Sequence, residues 1–259
     1  SLTRVSRAVA EVANISISGM PYVSKGAFSH KAGMHINAVL KNPASFEHIN
    51  PEAVGNRRNI LVSEMAGRSA VLPAIRAVDP SIEKDSPKIA MILDRLKELE
   101  YDGYQFEGAG ASLELVIRKC LGLYQPFFRV EKFKVLIEQE QEGNTMGYAS
   151  AIIKVLVDGR EEITASDSNG PVHAIDTALR KALDVFYPEL KTMQLVDYKV
   201  RVHNSEAATA AKVRVLIETF DGKDYWTTVG VSTDVIEASR QALIDSIEYK
   251  LIRSKKGGI

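Results

Sequence analysis

The chain has 259 residues, of which 45% are hydrophobic and 25% charged, values that suit a soluble globular protein with one large or two small domains. Lysine plus arginine and aspartate plus glutamate both number 33, so the net charge of zero favours neither a nucleic-acid nor a membrane partner. No run of about 18 apolar residues occurs, and a single cysteine, Cys120, rules out an intramolecular disulfide. We expect a cytoplasmic protein, and because the first residue is Ser1 we interpret the chain as a fragment.

Residues 1–124 show patterns typical of short helices separated by loops. Leu2–Asn14 carries an apolar stripe at helical spacing, and Ser86–Glu100 combines an N-cap serine with a proline at the first helical position. Further helices are expected to start near Ala66 and to cover Ala111–Leu121. These patterns predict helical linker subdomains over residues 1–124.

From residue 125 onwards, strands of β-branched and aromatic residues precede a helix, and this order occurs twice. The first copy is expected as strands Phe133–Glu140, Ala149–Val157 and Glu161–Ala165 and helix Gly170–Phe186. The second copy is expected as strands Tyr198–Val202, Lys212–Glu218 and Asp224–Val231 and helix Thr233–Leu251. Asp158-Gly159 matches Asp221-Gly222 at a constant offset of 63. We therefore predict an α+β fold, with the helical linker subdomains followed by a duplicated βββα domain over residues 125–259.

The segment Gly26–Lys41 holds two histidines, His30 and His35, on either side of a flexible Lys-Ala-Gly joint. Ligands on one helical face lie three or four residues apart, so this spacing of five does not predict a zinc site. From the spacing alone we favour two structural histidines. The sequence has no P-loop, GxGxxG, CxxC, HExxH or GxSxG motif, and nothing in it looks sufficient for catalysis by itself.

The two loops before the duplicated helices, residues 166–171 and 230–234, present backbone N–H groups at a helix N-terminus. The helix dipole favours a carboxylate there, so the pair of loops could form a site for a small amino or keto acid. Plain N-capping by Asn169, Thr233 or Asp234 explains the same composition. Both interpretations stay open at this point.

Several long motifs resemble one family over the whole chain. The run GAFSHKAGMHINAVLK with GNRRNILVSEMAGRS resembles the region that follows the barrel in the 2-isopropylmalate, homocitrate and citramalate synthase family. DSNGPVHAIDTALRKAL and WTTVGVSTDVIEASRQALIDSIEYKL resemble the carboxy-terminal regulatory domain of that family. GYQFEGAGAS and the closing EYKL favour the citramalate synthase branch.

The resemblance implies an enzyme that condenses acetyl-CoA with a 2-oxo acid in a (β/α)8 barrel with a divalent metal. That barrel is absent from this chain, so we expect no cofactor or metal here and no activity of the chain alone. His35 would complete the barrel active site of the partner subunit in a homodimer, where an imidazole can polarise a carbonyl oxygen. The family's Tyr-Glu pair is Phe46-Glu47 here, and Asn37 replaces an acidic residue.

The resemblance also implies a feedback site for a branched-chain amino acid at the duplicated helix N-termini. Isoleucine is the expected effector in the citramalate branch and leucine in the isopropylmalate branch. The effector-binding residues carried over are Asn169, Gly170, Pro171, Val172, Val231, Ser232 and Thr233. The alternatives are a stand-alone amino-acid sensor and a structural dimerisation module without a catalytic partner.

Overall fold

The computed structural model describes residues 1–13, 15, 17, 19–24, 26–30, 33–60, 68–138, 148–203 and 211–256. They belong to two compact units, one of residues 1–97 and 106–108, the other of residues 98–105 and 109–259. The described residues combine helices with small sheets and form no (β/α)8 barrel, which confirms the predicted α+β class. Among the described residues, no helix is long and apolar enough to cross a membrane.

The first unit consists of helices and one very short pair of strands. Its helices are α1 (Leu2–Ala13), α2 (Gly33–Lys41), α3 (Arg68–Val78) and the start of α4 (Pro87–Tyr101). Strands β1 (Ser29–His30) and β2 (Asn59–Ile60) pair in parallel, and 3-10 helices cover Pro43–Ser45 and Pro51–Val54. The expected helix start near Ala66 lies outside the described residues.

Helices α1 and α2 use their apolar residues differently. Ile36 and Val39 of α2 are fully buried, so they fix this helix in the unit. In α1 the apolar stripe that predicted the helix is exposed, and Val12 is 90% accessible. The buried side of α1 includes Thr3, whose hydroxyl donates a hydrogen bond to the carbonyl of Val54 at 2.7 Å. The helix was predicted correctly, but its stripe does not belong to the core of this unit.

The second unit contains the duplicated βββα architecture that the sequence predicts. Helix α5 (Gly110–Cys120) precedes the first copy, which has strands β3 (Arg129–Glu138), β4 (Tyr148–Val157) and β5 (Arg160–Ser168) and helix α6 (Pro171–Leu183). The second copy has strands β6 (Gln194–His203), β7 (Lys212–Phe220) and β8 (Tyr225–Ser232) and helix α7 (Val235–Lys256). Each copy forms a three-stranded antiparallel sheet, in the orders β3-β4-β5 and β6-β7-β8.

The core of the second unit lies between the inner sheet faces and the two long helices. Strand β4 alternates buried and partly exposed residues along its whole length, because one face packs against α6. On α6, Ala174, Ala178 and Ala182 are fully buried at a spacing of four. Small side chains at this spacing allow the helix axis to lie close to the sheet. In the second copy, Val215 and Ile217 of β7 are buried in the same way.

In the structure, equivalent residues of the two βββα copies lie 64 positions apart in the chain, not the 63 expected from the sequence. The hydroxyl of Thr164 donates to the carbonyl of Ala178 at 2.7 Å, and that of Thr228 donates to Ala242 in the same way at 2.7 Å. The sequence alignment was wrong because it matched Asp158-Gly159 to Asp221-Gly222. The first pair forms the two-residue connection between β4 and β5, whereas the second begins a longer connection after Phe220.

Strands β3 and β6 start four residues earlier than expected. They begin at Arg129 and Gln194, and both contain a shift of register close to that start. A bulge adds one residue to the strand and breaks the alternation of inward and outward side chains. The alternating pattern is regular only after the bulge, which is where the sequence reading placed the start. The last residues of the expected strand Phe133–Glu140 lie outside the described part.

Helix α5 packs with the second unit, although the sequence division at residue 124 assigned it to the linker. The Ser112 hydroxyl accepts the backbone N–H of Val229 at 3.0 Å and donates to Asp245 at 3.1 Å. These bonds connect α5 to β8 and α7. The functional division into residues 1–124 and 125–259 stays a prediction.

Candidate functional site

His35, the expected catalytic residue, lies on the exposed side of α2. Its neighbour Ile36 is buried, so the packing of α2 fixes the backbone position of His35. The ring of Phe46 lies against that imidazole, with centroids 4.4 Å apart and an angle of 32° between the planes. Phe46 follows the 3-10 helix Pro43–Ser45 and is 49% exposed. Phe46, which stands where the resemblance implies a tyrosine, is therefore in direct contact with His35.

The residue next to Phe46, Glu47, is a buried carboxylate with two partners. Arg58 donates to both of its oxygens, at 2.7 and 2.6 Å, and His30 Nε2 lies 2.9 Å from Oε1. The hydrogen bonds from Arg58 lower the pKa of Glu47, against the opposing effect of burial. The contact with Glu47 gives His30 a structural partner and separates its role from that of His35.

The described residues offer no group of three or more histidine, cysteine, aspartate or glutamate side chains that could hold a metal. The metal implied by the resemblance belongs to the barrel, which these residues do not form.

The N-terminus of α6 lacks a side-chain cap. Its N-cap residue, Gly170, is extended (φ −174°, ψ 156°), accepts the Ala174 N–H through its carbonyl at 3.0 Å and has no side chain to satisfy the other first-turn donors. Asn169, which could have been the cap, is exposed just before it. A Cβ built on Gly170 would meet no atom within 4 Å. This helix end is accessible to a carboxylate.

The N-terminus of α7 is capped by its own residues. Asp234 Oδ1 accepts the N–H of Ile236 at 2.8 Å, and the Ser232 hydroxyl accepts the N–H of Asp234 at 3.1 Å. Val231 is buried, and its N–H bonds Gln241 Oε1 at 3.2 Å, while Thr233 is exposed. The sequence analysis left N-capping and anion binding open for both helices. The structure supports capping by Asp234 in α7 and leaves α6 uncapped.

A cavity of about 440 Å³, here called the α6 pocket, lies between the first turns of α6 and the start of β6. Its lining consists of Val172, His173, Asp176, Arg180, Met193, Gln194, Leu195 and Tyr198. The volume is within the range of small-molecule sites. Val172 belongs to the predicted effector set. The other predicted residues, on the 169–171 and 231–233 segments, are not part of this lining.

The α6 pocket combines an apolar side with fixed charges. Arg180 donates from Nε to Asp176 at 2.8 Å and from Nη1 to the carbonyl of Met193 at 2.8 Å, so both charged side chains are held in place. The Tyr198 hydroxyl is 2.9 Å from the hydroxyl of Ser239 on α7. Sequence reasoning named Val172 but missed Asp176 and Arg180, although the three residues recur every four positions on one face of α6.

The corresponding stripe on α7 meets β3 in a different way. At the offset of 64, Val172, Asp176 and Arg180 correspond to Ile236, Arg240 and Ile244. Ile236 and Ile244 pack against the core, and the Arg240 guanidinium lies 5.8 Å from the centre of the Phe133 ring. Glu237 holds Arg240 through two hydrogen bonds, at 2.7 and 2.6 Å. Arg240 therefore lies against an aromatic ring of β3, whereas Asp176, its counterpart on α6, lines the α6 pocket.

Comparison with known proteins agrees with this architecture. Residues 107–251 match the family described as the LeuA allosteric (dimerisation) domain, and residues 22–103 match the homocitrate synthase post-HMGL domain-like family. The (R)-citramalate synthases of Aquifex aeolicus and Geobacter sulfurreducens are 50% and 45% identical, over 100% and 98% of this chain. The 2-isopropylmalate synthase of Aquifex aeolicus is 30% identical over 90% of it.

These matches cover 49%, 48% and 42% of the three relatives. The chain thus spans about half the length of the curated relatives that it matches. The first family model covers more than half of the chain and includes both βββα copies. The chain therefore belongs to the family of the LeuA allosteric (dimerisation) domain, and over its whole length it is similar to citramalate synthases.

Proposed function

We propose that this chain is the linker and allosteric regulatory region of a citramalate synthase-like enzyme, and that it binds a branched-chain amino acid as a feedback inhibitor. The observation that carries the proposal is the α6 pocket beside a helix N-terminus without a side-chain cap, which differs from the start of α7, where Asp234 is the cap. The relatives' names, (R)-citramalate synthase and 2-isopropylmalate synthase, supply the reaction class. The parent reaction would join acetyl-CoA to a 2-oxo acid in a barrel with a divalent metal.

The chemistry of the α6 pocket suits a zwitterion with an aliphatic side chain. The uncapped N–H groups at the start of α6 would receive the carboxylate. Asp176, which faces the pocket, would receive the ammonium group. Val172, Met193 and Leu195 would surround the aliphatic side chain. Isoleucine is the effector expected for the citramalate branch, with leucine as the alternative.

The same proposal gives the first unit a role in catalysis. In a homodimer, His35 would reach the barrel of the partner subunit and polarise the 2-oxo carbonyl as negative charge develops on its oxygen. Exposure of the imidazole on α2 supports this role. Analytical ultracentrifugation of the chain should give the mass of a dimer, and a monomer at all concentrations would contradict this part of the proposal.

Calorimetric titration of the chain with isoleucine, leucine and valine tests the amino-acid site. We expect saturable binding that is strongest for isoleucine. Val172→Phe should abolish it because the larger ring fills the α6 pocket, whereas Val185→Phe makes the same change at an exposed position and should leave it intact. Absence of heat at millimolar ligand would reject the sensor function and favour a purely structural dimerisation module.

A further inference from the structure

The contact between His35 and Phe46 links the expected catalytic imidazole to a segment outside its own helix. Both residues are exposed, so the core of the unit does not clamp either ring directly. Aromatic rings in contact attract each other weakly and prefer a defined geometry. The orientation of His35 therefore depends on how firmly Phe46 is held.

Phe46 is held through the residue that follows it. Glu47 has a side chain only 3% exposed, and its two oxygens accept hydrogen bonds from Arg58 in a bidentate arrangement. Arg58 directly precedes β2, and His30, the third member of the cluster, ends β1. The carboxylate thus joins the segment after the 3-10 helix to the paired strands β1 and β2. A bidentate pair of this kind fixes angle as well as distance.

We propose that Glu47 is a positioning residue for His35: its bonds to Arg58 and His30 fix the segment that carries Phe46, and the Phe46 ring orients the imidazole. The aromatic ring at position 46 keeps this function in the absence of a tyrosine hydroxyl. The catalytic consequence rests on the proposed role of His35, whereas the positioning can be measured in the chain alone. A purely structural Glu47 would stabilise the unit without any effect on the His35 ring.

Proton NMR of the chain measures the contact between the two rings directly. The ring protons of His35, identified by their loss in His35→Ala, should resonate upfield of those of an exposed histidine because they lie over the Phe46 ring. Phe46→Leu should remove this shift. Glu47→Gln should move the signals most of the way to the Phe46→Leu positions, while the methyl signals of Ile36 and Val39 stay in place.

Two further variants keep the NMR test decisive. Glu83→Gln removes a carboxylate at an exposed position of the same unit and should not move the His35 signals. Arg58→Lys keeps the charge but loses the bidentate geometry, so it should cause a partial movement and carries the test if Glu47→Gln does not fold. His35 signals that are unchanged in a folded Glu47→Gln or Arg58→Lys protein would overturn the proposal.

Activity separates the positioning from the function it rests on. The assay uses a chimaera in which this chain replaces the matched half of the Aquifex aeolicus (R)-citramalate synthase. Glu47→Gln should lower kcat roughly 10-fold or more with little change in KM, because a misplaced catalytic group impairs the chemical step more than substrate binding. A moved His35 signal with unchanged kcat would remove His35 from catalysis but leave the positioning intact. A loss of kcat in His35→Ala with an unmoved His35 signal in Glu47→Gln would keep His35 in catalysis but overturn the positioning by Glu47.

Discussion

The two βββα copies of the second unit share a fold but differ where each helix meets the opposite sheet. On α7, Arg240 lies over the Phe133 ring and Asp234 caps the helix. On α6, Asp176 occupies the position of Arg240 and accepts a hydrogen bond from Arg180, which also donates to the Met193 carbonyl. Gly170 provides no side-chain cap, and the first turns of α6 line the α6 pocket. The two copies thus share a backbone architecture, and their side chains differ at the helix starts and at the Asp176 and Arg240 positions.

The carboxyl ends of the two helices differ as well. Helix α6 ends at Leu183, while α7 continues to Lys256 and carries Glu248, which is 1% exposed. Glu248 accepts the N–H of Phe127 at 3.0 Å and so ties the start of β3 to α7. Burial raises the pKa of Glu248 to about 7, against the opposing hydrogen bonds from the backbone and the nearby charge of Lys119.

This carboxyl group should make the stability of the chain depend on pH. An unfolded chain releases the Glu248 proton near its ordinary pKa of 4.5, whereas the folded chain retains it up to about 7. Unfolding free energy should therefore fall by about 3 kcal/mol as pH rises through this window. Glu248→Gln should remove most of this fall, as measured by urea unfolding at pH 5 and pH 8.

The control for that experiment is Glu189→Gln, which removes a carboxylate from an exposed 3-10 helix. A pH dependence that is identical in wild type and Glu248→Gln would show that the buried carboxyl does not carry the effect. In that case Glu248 would not make stability depend on pH, and the functional difference between α6 and α7 would be limited to their amino ends.

Removal of the α7 cap should produce the next largest effect. Asp234→Ala takes away the acceptor for the N–H of Ile236 and should lower the unfolding free energy by about 1 kcal/mol. Thermal unfolding measures this change. The exposed Asp85→Ala, two residues before α4, is a control for the loss of a carboxylate near a helix start. An equal loss in both variants would contradict a specific cap at Asp234.

The converse substitution, Gly170→Asp, should change stability least and ligand binding most. Its backbone angles suit a capping residue and its Cβ would meet no neighbour, so the fold should be stabilised by a few tenths of a kcal/mol. The new carboxylate would occupy the N–H groups proposed for the effector and weaken binding in calorimetry. Unchanged affinity in Gly170→Asp would place the effector carboxylate elsewhere.

The architecture could be predicted from sequence because each copy repeats the same local signals. Alternating apolar residues, short turns and a helix after Pro171 define βββα without any long-range information. The offset was wrong by one because the Asp-Gly pair occupies different positions in the two connections. The early starts of β3 and β6 were missed because a bulge interrupts their alternation.

The candidate sites depend on contacts that local patterns do not contain. The capping of α7 by Asp234 was available as one of two interpretations, but the choice between them needed the hydrogen bond from Ile236 to Asp234 in the structure. The α6 pocket includes Arg180, whose guanidinium is held by Asp176 and by the carbonyl of Met193, a residue outside the helix. Glu47 was noticed only as the neighbour of Phe46, since Arg58 is distant from it in sequence.

The most direct test of the central claim is a titration of the ¹⁵N-labelled chain with isoleucine, followed by amide chemical shifts. The account predicts saturable shifts for the amides of Val172 and His173, at the start of α6, and none for those of Val235 and Ile236, at the capped start of α7. Shifts of equal size at both helix starts, or at α7 alone, would contradict the assignment of the α6 pocket as the amino-acid site.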